Sequence, residues 1–225
     1  MVLFFIQEPA PLQTEKTLSL FELIQNGGLG GQLIIGLLFV LLLMVTYIYF
    51  ERLFAIRSAV KVSPNFMPQI RSFVMNGKLE GAQQLCLQEN VPVARLISKG
   101  LSRIGRPLDD INTAIENSGR LEVYQLEKNI SILATISGVA PMLGFLGTVI
   151  GMILSIFEIS NAGGNIDMQL LADGLYTAMT TTVAGLIVGI VGYICYNHLV
   201  VKTNKAVYQM EASSLEFLDL LNEPA

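Results

Sequence analysis

Thr177, Thr180, Thr181 and Thr182 place four hydroxyls within six residues, inside a stretch that carries no charge from Gly174 to Val201. A second uncharged stretch, Asn129 to Phe157, carries Thr148 and Ser155. A hydroxyl both donates and accepts, so a line of them can wet a path through apolar surroundings. That chemistry suits water or protons, because a fixed charge at mid-membrane costs on the order of 3 kcal/mol or more. The hydroxyls are interleaved with small residues at intervals of three and four. Ser137, Pro141, Gly144, Thr148, Gly151, Ser155 and Glu158 fall on one helical stripe, and Ala178, Thr182, Gly185, Gly189 and Gly192 on another. Helix packing explains the glycines: small residues let helices approach closely in lipid, and Gly185 with Gly189 is a GxxxG pair. Gly147 belongs to the same packing set. A buried threonine usually bonds its own preceding turn, but four within six residues exceed what packing needs. Glu158 and Asp173 stand at the ends of the two stretches, at the mouth of any such path. Neither stretch holds an Asp or Glu that could take up and release a proton. If protons cross here, the carboxylate comes from another chain. His198, near the inner end, reads as a hydrogen-bonded interface residue rather than a relay.

The elements that carry these residues follow from composition. The chain has 225 residues, of which 52% are hydrophobic and only 14% charged. Soluble domains carry about a quarter charged residues. Mean hydropathy is +0.56. The charges are also segregated: 28 residues without one separate Glu22 from Glu51, 29 separate Lys128 from Glu158, and 28 separate Asp173 from Lys202. Each run exceeds the roughly 20 residues that span a bilayer. The prediction is an all-α membrane protein with three transmembrane helices. Two cysteines provide no disulfide framework, no Cys/His spacing suggests a metal, and a net charge of −4 argues against nucleic acid. No cofactor motif is present. The spans hold no HExxH, GxSxG or paired catalytic carboxylates, so an enzyme is not expected.

Of the 14 Lys and Arg, 11 lie between Glu51 and Lys128. Basic residues stay on the cytoplasmic side, which orients the chain with its N-terminus outside and its C-terminus inside. The segments are then a periplasmic stretch over 1–31, a first span over 32–50, a cytoplasmic helical region over 51–128, a second span over 129–157, a periplasmic loop over 158–172, a third span over 173–201 and a cytoplasmic helix over 202–225. Within 1–31, Thr17 to Gln25 reads as an amphipathic surface helix, broken by Gly27, Gly28, Gly30 and Gly31. Pro64, Asn76-Gly77, Pro92 and Gly105-Arg106-Pro107 punctuate the cytoplasmic region and leave short helices over 66–75, 79–88 and 93–104. From Leu108 the apolar period runs without a strong stop into the second span, predicting one long helix. The third span continues likewise, through Val207, Met210, Phe217 and Leu221. The first span is a plain Leu/Ile/Val/Phe helix suited to lipid.

The run Ala140-Pro141-Met142-Leu143-Gly144-Phe145-Leu146-Gly147-Thr148-Val149-Ile150-Gly151-Met152 resembles the second-span signature of the MotA/TolQ/ExbB proton-channel family. Thr181-Thr182-Val183-Ala184-Gly185-Leu186, followed by Tyr196-Asn197, resembles its third span. The Gly27-Gly28 turn and Gly105-Arg106-Pro107-Leu108 fit as well, so the resemblance covers nearly the whole chain. Three spans match ExbB and TolQ, whereas MotA-type stators have four. The resemblance implies a homo-oligomeric ring, five subunits, in the bacterial inner membrane, with the second and third spans lining its interior. It implies a single-span ExbD/TolR-like partner whose aspartate would supply the missing carboxylate. It also implies use of the proton-motive force, passed in ExbB systems to a TonB protein that energises outer-membrane import. By motif, Thr148 and Thr182 hold the pore threonine positions. Several relatives have a glutamate where this chain has Thr177. Either Asp173, one turn outward, or the partner's aspartate takes its place. A TolQ-like motor for envelope integrity and a non-conducting scaffold ring are the competing expectations.

Overall fold

The structure is a computed structural model, and it describes residues 28–161 and 168–222. The surface helix expected over Thr17–Gln25 lies outside these residues. Seven helices follow one another, and no strand occurs among the described residues. They are α1 (Gly28–Val60), α2 (Phe66–Met75), α3 (Leu79–Glu89), α4 (Pro92–Leu101), α5 (Leu108–Glu127), α6 (Ile130–Asn161) and α7 (Met168–Asn222).

Three helical stretches are long and apolar enough to cross a membrane: one in α1, one in α6 and one in α7. They pack side by side, with the longest seam between α6 and α7 and α1 laid against both. Helix α1 buries Leu38, Val45 and Ile48 in that packing and leaves Leu33, Phe39, Val40, Leu43 and Tyr47 exposed. An apolar helix with one packed face and one bare apolar face suits a bilayer, where lipid covers the rest. Gly30 and Gly31, expected to break the chain, lie instead in the first turn of α1. The first turn has no preceding helical hydrogen bonds to disrupt, so glycine costs little there.

The second span departs from the expected single helix. Lys128 leaves the helical region and Asn129 adopts φ +65°, so α5 and α6 are separate helices with a two-residue joint between them. Asparagine visits the left-handed region more readily than most residues, because its short polar side chain bonds locally. Helix α6 restarts at once, with Ile132 N–H donating to the Asn129 carbonyl at 3.2 Å. Arg52 of α1 donates to the Gln125 carbonyl at 3.1 Å, satisfying a carbonyl in the last turn of α5 just before the joint. Helix α7, by contrast, runs unbroken for 55 residues without an internal proline, about 82 Å.

The short helices α2 to α5 pack with the C-terminal half of α7 into a second lobe whose core is continuous with the membrane seam. Helix α4 is its centre: Val93, Ala94, Leu96, Ile97 and Leu101 are buried. Gly100 is required there because a Cβ would come within 2.5 Å of the Phe217 ring and 2.9 Å of Ile115. The fully buried Phe217 thus clamps the tail of α7 to α4. Arg95 of α4 donates to both carboxylate oxygens of Glu122 on α5 at 2.6 Å, and also to the carbonyl of Asn90, the left-handed cap of α3. The hydrogen bonds to Glu122 raise the Arg95 pKa further, keeping the guanidinium charged. Burial pushes the Cys86 thiol up to about 11, so this thiol stays neutral.

Candidate functional site

The site is built on the α6–α7 seam. Pro141 lies inside α6 and has no N–H, and its ring projects toward α7. Only a glycine fits opposite: a Cβ at Gly189 would lie 2.6 Å from the Pro141 ring. One turn on, the backbones themselves meet. A Cβ at Gly144 would stand 2.8 Å from the Thr181 carbonyl, and one at Gly185 would stand 2.6 Å from the Ala140 carbonyl and 2.9 Å from the Gly144 Cα. Gly147 faces the Thr181 side chain and Gly151 faces Ala178, whose Cβ would be 3.0 Å from an added one. The packing set Pro141, Gly144, Gly147, Gly151, Gly185 and Gly189 therefore lines one close helix contact within a single chain.

This closeness brings the hydroxyls together. Three threonine hydroxyls lie within hydrogen-bonding distance of the Gly144 carbonyl, Thr182 at 3.1 Å, Thr181 at 3.2 Å and Thr148 at 3.3 Å, and each has one proton to share between this carbonyl and its other neighbours. The Thr148 and Thr182 hydroxyls also hydrogen bond to each other across the seam. Thr148 reaches the Ala178 carbonyl at 3.4 Å as well. Both are half-buried, so the pair sits at an edge of the seam that another chain can approach. Thr181 is fully buried between α6 and α7, and its hydroxyl donates to Ala178 at 2.7 Å. It braces the seam from inside. Ser155 is buried too and donates to the Gly151 carbonyl at 2.9 Å, with Gly174 packed over it. Thr180 donates to Tyr176 in its own helix at 2.9 Å. The side chains of Thr177, Glu158 and Asp173 lie outside the described residues.

The structure adds a feature that the stripes do not announce, the Gly144 carbonyl as a shared acceptor. Its role depends on the depth of contact between two helices, which no single-helix pattern encodes. At the other end of the seam, the Tyr49 hydroxyl and His198 Nδ1 share a hydrogen bond of 2.8 Å, tying α1 to α7. His198 is thus an interface residue with a named partner.

Such a node orders hydroxyls and exposes two of them, but it has no group of its own to bind a proton. Three apolar helices with a hydroxyl pair at the crossing of two of them define a membrane protein with a half-buried polar edge between two of its spans. Residues 88–212 match the model of the MotA/TolQ/ExbB proton channel family, and the chain belongs to that family. Among curated relatives, it is 31% identical to a biopolymer transport protein ExbB homolog of Methanothermobacter thermautotrophicus over 67% of this chain and 54% of that one. It is 38% identical to the biopolymer transport protein ExbB of Aquifex aeolicus over 48% of this chain and 74% of that one. The Tol-Pal system protein TolQ of Haemophilus influenzae is 31% identical over 46% of this chain and 45% of its own length. The chain thus spans about half the length of the first and third of these relatives. Membership and the three apolar helices together make it a protein of the bacterial inner membrane.

Proposed function

We propose that this chain is the ring-forming subunit of an ExbB-like proton-driven motor. Five copies surround the single-span helices of an ExbD/TolR-like partner, with the α6 and α7 faces turned inward. The partner brings an intramembrane aspartate to the Thr148–Thr182 pair, and protons pass between that carboxylate and the hydroxyls. The subunit moves protons and breaks no covalent bond itself. Its N-terminus lies in the periplasm and its C-terminus in the cytoplasm, as the basic residues around Arg52, Arg57, Lys128, Lys202 and Lys205 require. The work goes to a TonB-like protein that energises outer-membrane transport. The ExbB-type role is favoured over the TolQ-type role because an ExbB-named relative matches 67% of this chain at 31% identity, against 46% at 31% for the TolQ-named one.

One observation carries this reading: two half-buried threonine hydroxyls meet on one carbonyl, in spans that carry no carboxylate between Asn129 and Phe157 or between Gly174 and Val201. The hydroxyl oxygens of the pair keep lone pairs that accept a hydrogen bond from a carboxylic acid, so the pair can pass a proton along only when such a group arrives. Thr181 and Ser155 hold the seam in register, while Thr177, Asp173 and Glu158 belong to the outer mouth.

The test is proton flux into proteoliposomes holding this chain alone, then with its single-span partner. Flux is expected only with the partner, and it disappears when the partner's aspartate is neutralised or in Thr148→Val, which keeps the side-chain shape. Equal flux without the partner refutes the borrowed carboxylate. Full coupled transport in an assembled Thr148→Val ring makes the protein a scaffold.

A further inference from the structure

A groove of about 420 Å³ opens between α1 and α7 where both helices leave their uncharged stretches. Arg57 and Lys61 line it from α1 and the loop that follows, and Lys202 and Lys205 line it from α7. No acidic residue lines it. None of the four cations has an ion-pair or hydrogen-bond partner among the described residues, although Arg95 and Arg52 elsewhere are paired. The four cations are exposed, and their like charges repel one another, so an anion placed among them is favoured. Its floor is apolar, formed by the buried Leu53 and Ile56. Phe54, 63% exposed, stands on its rim. Tyr47, Phe50 and Phe54 follow each other at helical spacing as one exposed aromatic stripe, leading from the membrane face of α1 to the cations.

We propose that this groove binds the phosphodiester headgroup of an anionic glycerophospholipid, with an acyl chain lying along the Tyr47–Phe50–Phe54 stripe. The cations alone would suit a free phosphate. The aromatic approach from the bilayer side selects a lipid. Basic grooves between helices at the membrane surface hold such headgroups, and each Lys or Arg there contributes roughly fivefold to partition onto anionic lipid. This site depends on α1 and α7 crossing the bilayer and not on the proton pathway. Lipid seated there bridges α1 to α7 beside the Tyr49–His198 bond.

The chain has no tryptophan, so Phe54→Trp introduces a single fluorophore on the rim. The full chain carrying it is placed in phosphatidylcholine nanodiscs containing either brominated phosphatidylglycerol or brominated phosphatidylcholine. Quenching is expected at several-fold lower phosphatidylglycerol than phosphatidylcholine. That preference falls at least tenfold in Lys202→Gln/Lys205→Gln and persists in Lys202→Arg/Lys205→Arg, which keeps the charge and reports a folded groove. Phe39→Trp, about 22 Å along the same helix, reads bulk lipid and shows no preference. Equal quenching by the two lipids at Phe54→Trp overturns the proposal, as does an unchanged preference in the glutamine variant or its loss in the arginine variant. Displacement of the lipid by millimolar inorganic phosphate at matched ionic strength also overturns it, in favour of a soluble anion.

Discussion

Gly185→Ala and Gly138→Ala each add one methyl group to a membrane-spanning helix, the first inside the α6–α7 seam and the second on an exposed face, and the structure assigns them opposite outcomes. At Gly185 the new Cβ would meet the Ala140 carbonyl at 2.6 Å and the Gly144 Cα at 2.9 Å, both backbone atoms that cannot rotate away. Ordinary contact begins near 3.4 Å, so α6 and α7 must part by about 0.8 Å at this level. That movement stretches the Thr182 and Thr181 bonds to the Gly144 carbonyl from 3.1 and 3.2 Å to about 4 Å, beyond hydrogen-bonding range. Overpacking of this kind costs about 1–3 kcal/mol, and each interhelical bond lost in lipid adds about 0.6 kcal/mol. The sum is about 2–4 kcal/mol. At Gly138 nothing lies within 4 Å, so alanine gains its helix propensity, up to about 1 kcal/mol. Reversible unfolding of the reconstituted protein by increasing denaturing detergent, followed by circular dichroism, measures both. Proton flux with the partner is expected to fall in Gly185→Ala and to stay intact in Gly138→Ala. If the two variants unfold at the same point, the helices do not approach at Gly185 as described, and the three-threonine node on Gly144 falls with that contact.

Three further outcomes are expected. Phe217→Ala, which empties the clamp over Gly100, destabilises the lobe of α2 to α5 by about 3–5 kcal/mol, read as early proteolysis after α5 while the membrane helices remain protected. Asn129→Gly is tolerated because glycine adopts φ +65° freely, whereas Asn129→Val costs about 1–2 kcal/mol in thermal unfolding. The Cys86 thiol has its pKa raised by burial to about 11, so the folded state holds its proton more tightly than the unfolded chain. Its contribution is complete below pH 9 and is lost as pH rises toward 11. The stability gap between the native protein and Cys86→Ala therefore narrows over that window, by on the order of 1 kcal/mol per pH unit, in thermal melts at matched ionic strength.

The spans and short helices were legible because their signals are local. Runs without charge mark α1, α6 and α7, and Asn76-Gly77, Pro92 and Gly105-Arg106-Pro107 bound α2 to α5 near the observed ends. The joint at Asn129 escaped because one left-handed residue leaves the apolar period on either side undisturbed, and asparagine is a weaker break signal than proline or glycine. The stripes brought Thr148 and Thr182 together, as their shared register on packed helices implies. They did not separate Thr181 from them, since neighbours in sequence point in different directions once the partner helix is fixed. Arg95 with Glu122 and Gly100 with Phe217 were invisible for a related reason: each pair joins separate helices, and only the packed lobe makes them neighbours.

The contrast between a jointed second span and an unbroken third has a mechanical consequence. A tilt of α7 about the level of Thr182 is carried along a stiff lever of about 58 Å to Leu221, so a 5° swing displaces the C-terminal end of the helix by about 5 Å. The same swing in α6 stops at Asn129, where the backbone turns and the force is taken up locally. Any displacement of α7 at the level of the hydroxyl pair is therefore carried along one rod and amplified by its length, with Phe217 as the point where that rod grips the rest of the lobe.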